Sequence, residues 1–163
     1  RDAHSFAGLK LSSGDYAPRY CPSVHMTHIA RRDSARIPDM VRQKVGVVGD
    51  GEGNGGFQAV NLAAQFGAST ILLAGLDYCG AHWHPDHPRG LLNPTGAQLL
   101  KWCRRMDAPA HTLSSWGIRV INLSRTSSLR AFPHGHADSY LPHPGSSLLP
   151  AGDLSDGSPN PRI

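Results

Sequence analysis

The chain has 163 residues, enough for one domain with its own core, and a formal charge of +4. Hydrophobic residues make up 39% and charged residues 17%, both low for a packed domain, while 18 glycines and 13 prolines point to a part that does not pack. The basic residues are scattered (Arg31, Arg32, Lys101, Arg104, Arg105, Arg119, Arg125, Arg130), which excludes the continuous basic face of a nucleic-acid binder and suits a small anionic ligand.

From the N-terminus, Leu9-Lys10-Leu11 and Ser23 to Ile29 alternate enough for short strands, and Arg31 to Asp39 reads as a surface loop. Lys44 to Val48 is a β-rich run that feeds five glycines in the eight residues Gly49 to Gly56. A helix is predicted from Gly56 to Phe66, with Phe57, Val60, Ala63, Ala64 and Phe66 on its apolar face and Gly67 as its stop. Thr70 to Leu76 is continuously apolar, as expected for a strand covered on both faces in a parallel sheet. Strand, glycine loop, helix and strand together make a βαβ unit.

Ala81 to Pro94 is a loop rich in His and Pro. Thr95 is placed to cap a helix running to about Met106, with Ala97, Leu99, Leu100, Trp102 and Cys103 as its apolar residues. Pro109 starts a second helical piece that ends at Trp116-Gly117, and Ile118 to Leu123 is a strand. Ser127 to Phe132 fits one helical turn. Residues 133–163 hold six prolines and four glycines without apolar periodicity, and are expected to form an extended or disordered tail. Domain-level reading therefore divides the chain into residues 1–132 and that tail, and cutting after Pro133 is expected to leave the melting point nearly unchanged.

Two segments carry candidate chemistry. Gly51, Gly53 and Gly56 satisfy GxGxxG. Glycines here let a ligand approach the backbone at a helix N-terminus, where free amides and the helix dipole favour an anion. The carboxylate that often follows such a loop falls near Asp77, at the end of the next strand. A plain βα turn explains the same glycines, and no Walker lysine is present. The second segment holds His82, His84, Asp86 and His87 directly after that strand, where open α/β sheets bind ligands. Its histidines are candidates for general bases, for zinc ligands, or for a polar surface loop stiffened by prolines. Cys79 lies close enough in sequence for a Cys–His nucleophile, but buried reduced thiols are the plainer reading of Cys21, Cys79 and Cys103. No run of 18 apolar residues and no signal peptide is seen, so neither a membrane span nor export is expected.

Three blocks, GNGGFQAVNLAAQFGASTILLAGLD, HWHPDHPRGLLNP and WGIRVINLSRTSSLRAFP, together resemble a group of phage and prophage proteins. Their order and spacing are also similar to bacterial lipooligosaccharide sialyltransferases and to the corresponding domain of motility-accessory glycosyltransferases. The resemblance covers about residues 45–133. It implies a Rossmann-like parallel sheet with helices on both faces, and a nucleotide or nucleotide-sugar ligand in a protein of the bacterial host cytoplasm. It implies that the turn Asn54, Gly55, Gly56 touches the nucleotide and that His84 or His87, with His82 third, acts as base on an acceptor hydroxyl. It places Asn122, Ser127 and Ser128 near the phosphate. A direct displacement of this kind needs no metal or other cofactor beyond the nucleotide-sugar donor. The chain departs from the pattern in two ways. Gly55 stands where a small hydroxyl residue is usual, and the first strand with its glycine/asparagine loop is not found before Leu9. Both departures favour a second reading, a non-catalytic nucleotide-binding or assembly protein. A zinc-dependent hydrolase built on the histidine loop is the third.

Overall fold

The computed structural model describes residues 7–12, 26–32, 40–42, 44–80, 87 and 93–141. These form a mixed α/β structure whose strands pair in parallel. The strands are β1 (Lys10–Ser12), β2 (Met26–His28), β3 (Ala30–Arg32), β4 (Val47–Gly49), β5 (Thr70–Leu73) and β6 (Arg119–Asn122). The helices are α1 (Gly55–Gln65), α2 (Gly96–Asp107) and α3 (Ala110–Ser115). β1 pairs with β2, β3 with β4 and β5 with β6. Only Ile29 separates β2 from β3, and its amide donates to Ser12 O, so one extended segment pairs with β1 along its first half and with β4 along its second. Arg31 and Arg32 therefore belong to a strand, not to the surface loop the sequence suggests.

Strand, glycine turn, helix and strand follow one another as expected, but β4 and β5 do not share a ladder among the described residues. The pairing found among the described residues is parallel throughout, as expected.

β5 and β6 hold the core. Their register sets Ile71 beside Val120 and Leu73 beside Asn122, which puts these four on one face. Against them pack Phe57, Val60 and Ala64 of α1, Cys103 and Met106 of α2, Leu113 of α3, and Leu129 and Phe132 from the segment after β6. Burial along β5 alternates, with Ile71 and Leu73 buried and Thr70 and Leu72 only partly so. The unbroken apolar run thus serves a strand with one well-covered face.

Each helix has a local cause. The Asn54 side chain caps α1 by accepting from the Phe57 amide, and the Thr95 hydroxyl caps α2 by accepting from the Gln98 amide. Gly67 and Gly117, at φ 84° and 75°, turn the chain out of α1 and α3 in the left-handed region. α1 buries two adjacent stripes. Phe57, Val60 and Ala64 are apolar, whereas Gln58 and Asn61 are buried amides beside them. Asn61 is fully buried: its Oδ1 accepts from the amides of Gly49 and Val41, and its Nδ2 donates to Val41 O. Gln65 Nε2 donates to the carbonyls of Val41 and Val47. Amide side chains, not methyl groups, tie α1 to the end of β4. Phe66, expected on the apolar face, lies past the last turn and is 58% exposed. Ala97 and Leu100 of α2 are likewise exposed.

The expected helical turn at residues 127–132 does not form. That segment is irregular, and the Asp107 carboxylate holds it by accepting from the amides of Arg130 and Ala131. Beyond it, His134 bridges to Asn122 in parallel, and a short 3-10 turn covers Ala137–Ser139. The described chain therefore stays attached to the fold for several residues past Phe132.

Candidate functional site

β4 leads straight into a left-handed turn. Gly51, Glu52 and Gly53 have φ of 58°, 62° and 76°, three consecutive residues in the region L side chains avoid. The turn closes through Gly53 N to Asp50 O at 3.1 Å and Asn54 N to Gly51 O at 3.3 Å. Gly51 has a second constraint: a Cβ there would stand 2.5 Å from the Phe57 ring. Glu52, the one side chain forced into this conformation, points its carboxylate at α2. It accepts from Arg105 at 2.5 Å and pairs with Lys101 at 2.8 Å, and its own carbonyl accepts from the Trp102 indole at 2.9 Å. The hydrogen bond from Lys101, then that from Arg105, holds the Glu52 carboxyl below its usual range. α2 is in this way clamped onto the turn that precedes α1.

Between the turn, the loop after β5 and the near side of α2 lies a cleft of about 540 Å³. Gly53, Asn54 and Gly55 form one wall, residues 75–80 the floor, and Asn93, Pro94, Leu99 and Trp102 the far wall. The floor is a bent segment, with Gly75, Tyr78 and Gly80 all at positive φ. The Asn54 Nδ2 donates to the Tyr78 hydroxyl at 2.9 Å and so joins the glycine wall to the floor. Burial pushes the Tyr78 phenol above its usual pKa, against the opposing pull of that hydrogen bond. The phenol is therefore neutral near pH 7 and keeps a proton to donate.

Among the residues singled out from sequence, Asn54, Gly55 and Asp77 line this cleft. Gly56 stands just behind, where a Cβ would meet Leu76 Cδ2 at 2.8 Å. The Asn54 side chain is occupied, with Oδ1 capping the helix and Nδ2 on Tyr78. Gly55 is exposed, and nothing lies within 4 Å of where its Cβ would be. The first two amides of α1, those of Gly55 and Gly56, have no acceptor within the helix. Asp77 contributes a buried Oδ1 without a hydrogen-bond partner.

The three late residues fall elsewhere. Asn122 is fully buried on the core face of β6, with Oδ1 accepting from Ser124 N. Ser127 donates its hydroxyl to Leu76 O at 2.8 Å and accepts from Leu129 N, so its polar atoms are spent on backbone. The Ser128 amide donates to Asp77 O at 2.7 Å, and the residue lines a neighbouring cavity. Ser127 thus holds the floor from behind, and neither it nor Asn122 lines the cleft. His82, His84 and Asp86 lie outside the described residues. His87 is exposed, and its amide donates to Asn93 Oδ1 at 3.0 Å, beside the far wall. No group of three or more His, Cys, Asp or Glu side chains is arranged to hold a metal ion among the described residues. Nor is any described helix long and apolar enough to cross a membrane.

Glu52, Tyr78, Asn93, Leu99 and Trp102 were not singled out for the site from sequence. Leu99 and Trp102 do form an amphipathic stripe with Cys103, but that stripe reads as core. Its N-terminal half turns out to face the cleft, and only Cys103 and Met106 are buried. Compared with known proteins, the chain matches no family model, no curated protein and no solved structure.

Proposed function

We propose that the cleft binds a nucleotide or nucleotide-sugar and that the chain has a glycosyltransferase-like, Rossmann-like site of the type its sequence resembles. The observation that carries this reading is a single cleft with two complementary polar ends. The open Gly55 backbone at the start of α1 suits a phosphate. The Asp77 carboxylate, which lines the cleft, suits the hydroxyls of a ribose or hexose. Between them, Leu99 and Trp102 offer an apolar and aromatic wall for a base, and the Tyr78 hydroxyl supplies a donor.

In the transfer reading, His87 or His84 removes the proton of an acceptor hydroxyl, and the nucleotide phosphate leaves from the donor sugar into the amides of Gly55 and Gly56. The carbon–oxygen bond to the acceptor forms as the sugar–phosphate bond breaks, and this needs no metal. Binding without transfer is the second reading, favoured by the missing hydroxyl at Gly55.

Thermal shift with CMP, UDP and GDP tests the binding. A ligand at a hundred times its dissociation constant stabilises the folded chain by about 2.7 kcal/mol. Gly55→Leu fits the open space at that position, so it should melt as the wild type does without ligand and show no shift with it. No shift of the wild type with any of the three nucleotides would refute the proposal. His87→Asn should keep the nucleotide shift and lose transfer of the sugar. Retained transfer would remove His87 from the mechanism.

A further inference from the structure

Beside the cleft lies a second cavity of about 320 Å³. It shares Tyr78, Cys79, Gly80, Pro94 and Leu99 with the first, and it is lined by two thiols, Cys79 and Cys103. The two differ in exposure. Cys79 is exposed on the floor loop, between Tyr78 at φ 53° and Gly80 at φ 70°, and its thiol donates to Thr126 O at 3.0 Å. Cys103 is buried on α2, one turn beyond Leu99. Burial first, then Asp107, pushes the Cys103 thiol up, and a charge on Cys79 adds to the effect. Cys103 is therefore a poor first nucleophile, and an attacking reagent meets Cys79 first.

We infer that Cys79 and Cys103 form a thiol–disulfide pair across this cavity, a modification site for small disulfides of the glutathione class. The Cys79 thiolate attacks oxidised glutathione, forming a mixed disulfide and releasing one glutathione thiolate. The Cys103 thiolate then attacks the Cys79 sulfur, forming the internal bond and releasing the second glutathione. The protein loses two electrons and two thiol protons, and the oxidised glutathione gains them as two reduced molecules. The bond ties the cleft floor to α2, since Cys79 sits on the floor loop and Cys103 on that helix. This pairing stands independently of what the cleft binds.

The test uses the full chain carrying Cys21→Ser, so that only the two cavity thiols remain. It is incubated folded with oxidised glutathione at pH 8, then digested without reductant for peptide mapping. The expected product is a Cys79–Cys103 cross-link with no retained glutathione. Adding Cys103→Ala should stall the reaction at glutathione on Cys79, and adding Cys79→Ala should leave Cys103 unmodified. Far-UV circular dichroism checks that each variant is folded. A stable glutathione adduct on Cys79 with Cys103 still free in the parent protein would overturn the inference. So would modification of Cys103 in the Cys79→Ala variant. Because the readout is a covalent bond, its failure is distinct from a failure to bind nucleotide.

Discussion

Gly51 and Gly53 look equivalent as letters, and the structure separates them. Both have positive φ, so an added Cβ at either forces an L residue into the left-handed region, at about 1–2 kcal/mol. Only at Gly51 does the Cβ also run into something, the buried Phe57 ring at 2.5 Å, whereas at Gly53 nothing lies within 4 Å. Phe57 is 1% exposed and packed among core residues, so it cannot swing aside, and overpacking adds about 1–3 kcal/mol. Gly51→Ala should therefore lose about 2–5 kcal/mol in urea denaturation and Gly53→Ala about 1–2 kcal/mol. Equal losses at the two positions would show that the turn yields and that Phe57 does not anchor it. The GxGxxG spacing was legible in the sequence, but its cause was not. Gly51 and Gly56 serve packing against Phe57 and Leu76, whereas Gly53 and Gly55 leave the space beside the backbone open.

At the scale of elements, what was legible followed from local rules. The N-cap Thr95, the stops Gly67 and Gly117, and the strands β5 and β6 all rest on near neighbours in sequence. What was not legible rests on distant partners. The amide stripe of α1 binds Val41 and Val47, which no helical periodicity reveals because amides count as surface residues in such a pattern. Likewise, nothing local marks Glu52 as the contact that seats α2 on the glycine turn. Its carboxyl pKa is lowered in the fold, so the fold gains stability from it above the unfolded value near 4.5. That gain is lost as pH falls through the folded value. Wild type should accordingly be more stable than Glu52→Gln at pH 6–7, and the two should converge as pH drops below about 4.5. Glu52 is partly exposed, so added salt should shrink the difference at neutral pH. Urea midpoints measured across that pH range check the sign, and a gap that widened in acid would contradict it.

For the whole molecule, the question is where the fold ends. Proline and glycine content placed the boundary just after Phe132, because composition responds to the average of a segment and not to its first few residues. Yet Asn122, at the end of β6, donates its amide to Pro133 O at 2.9 Å and accepts at its carbonyl from Gly135 N at 3.0 Å. Gly135 packs so closely that a Cβ there would stand 2.5 Å from Ile121 and 2.7 Å from the Tyr140 ring. Register places Ile121 on the face of β6 opposite the main core, so this short segment covers a face that the helices leave open. Cutting after Pro133 removes the Gly135 hydrogen bond, worth about 1 kcal/mol net. It also bares Ile121, which is only 5% exposed when covered. A total of about 2–3 kcal/mol corresponds to a fall of roughly 4–12 °C in melting temperature for a chain of this size. A chain ending at Leu141 keeps these contacts and is the proper reference. It should melt above the Pro133 chain by that margin, and calorimetry of the two side by side decides whether residues 134–141 close the sheet or merely lie on it.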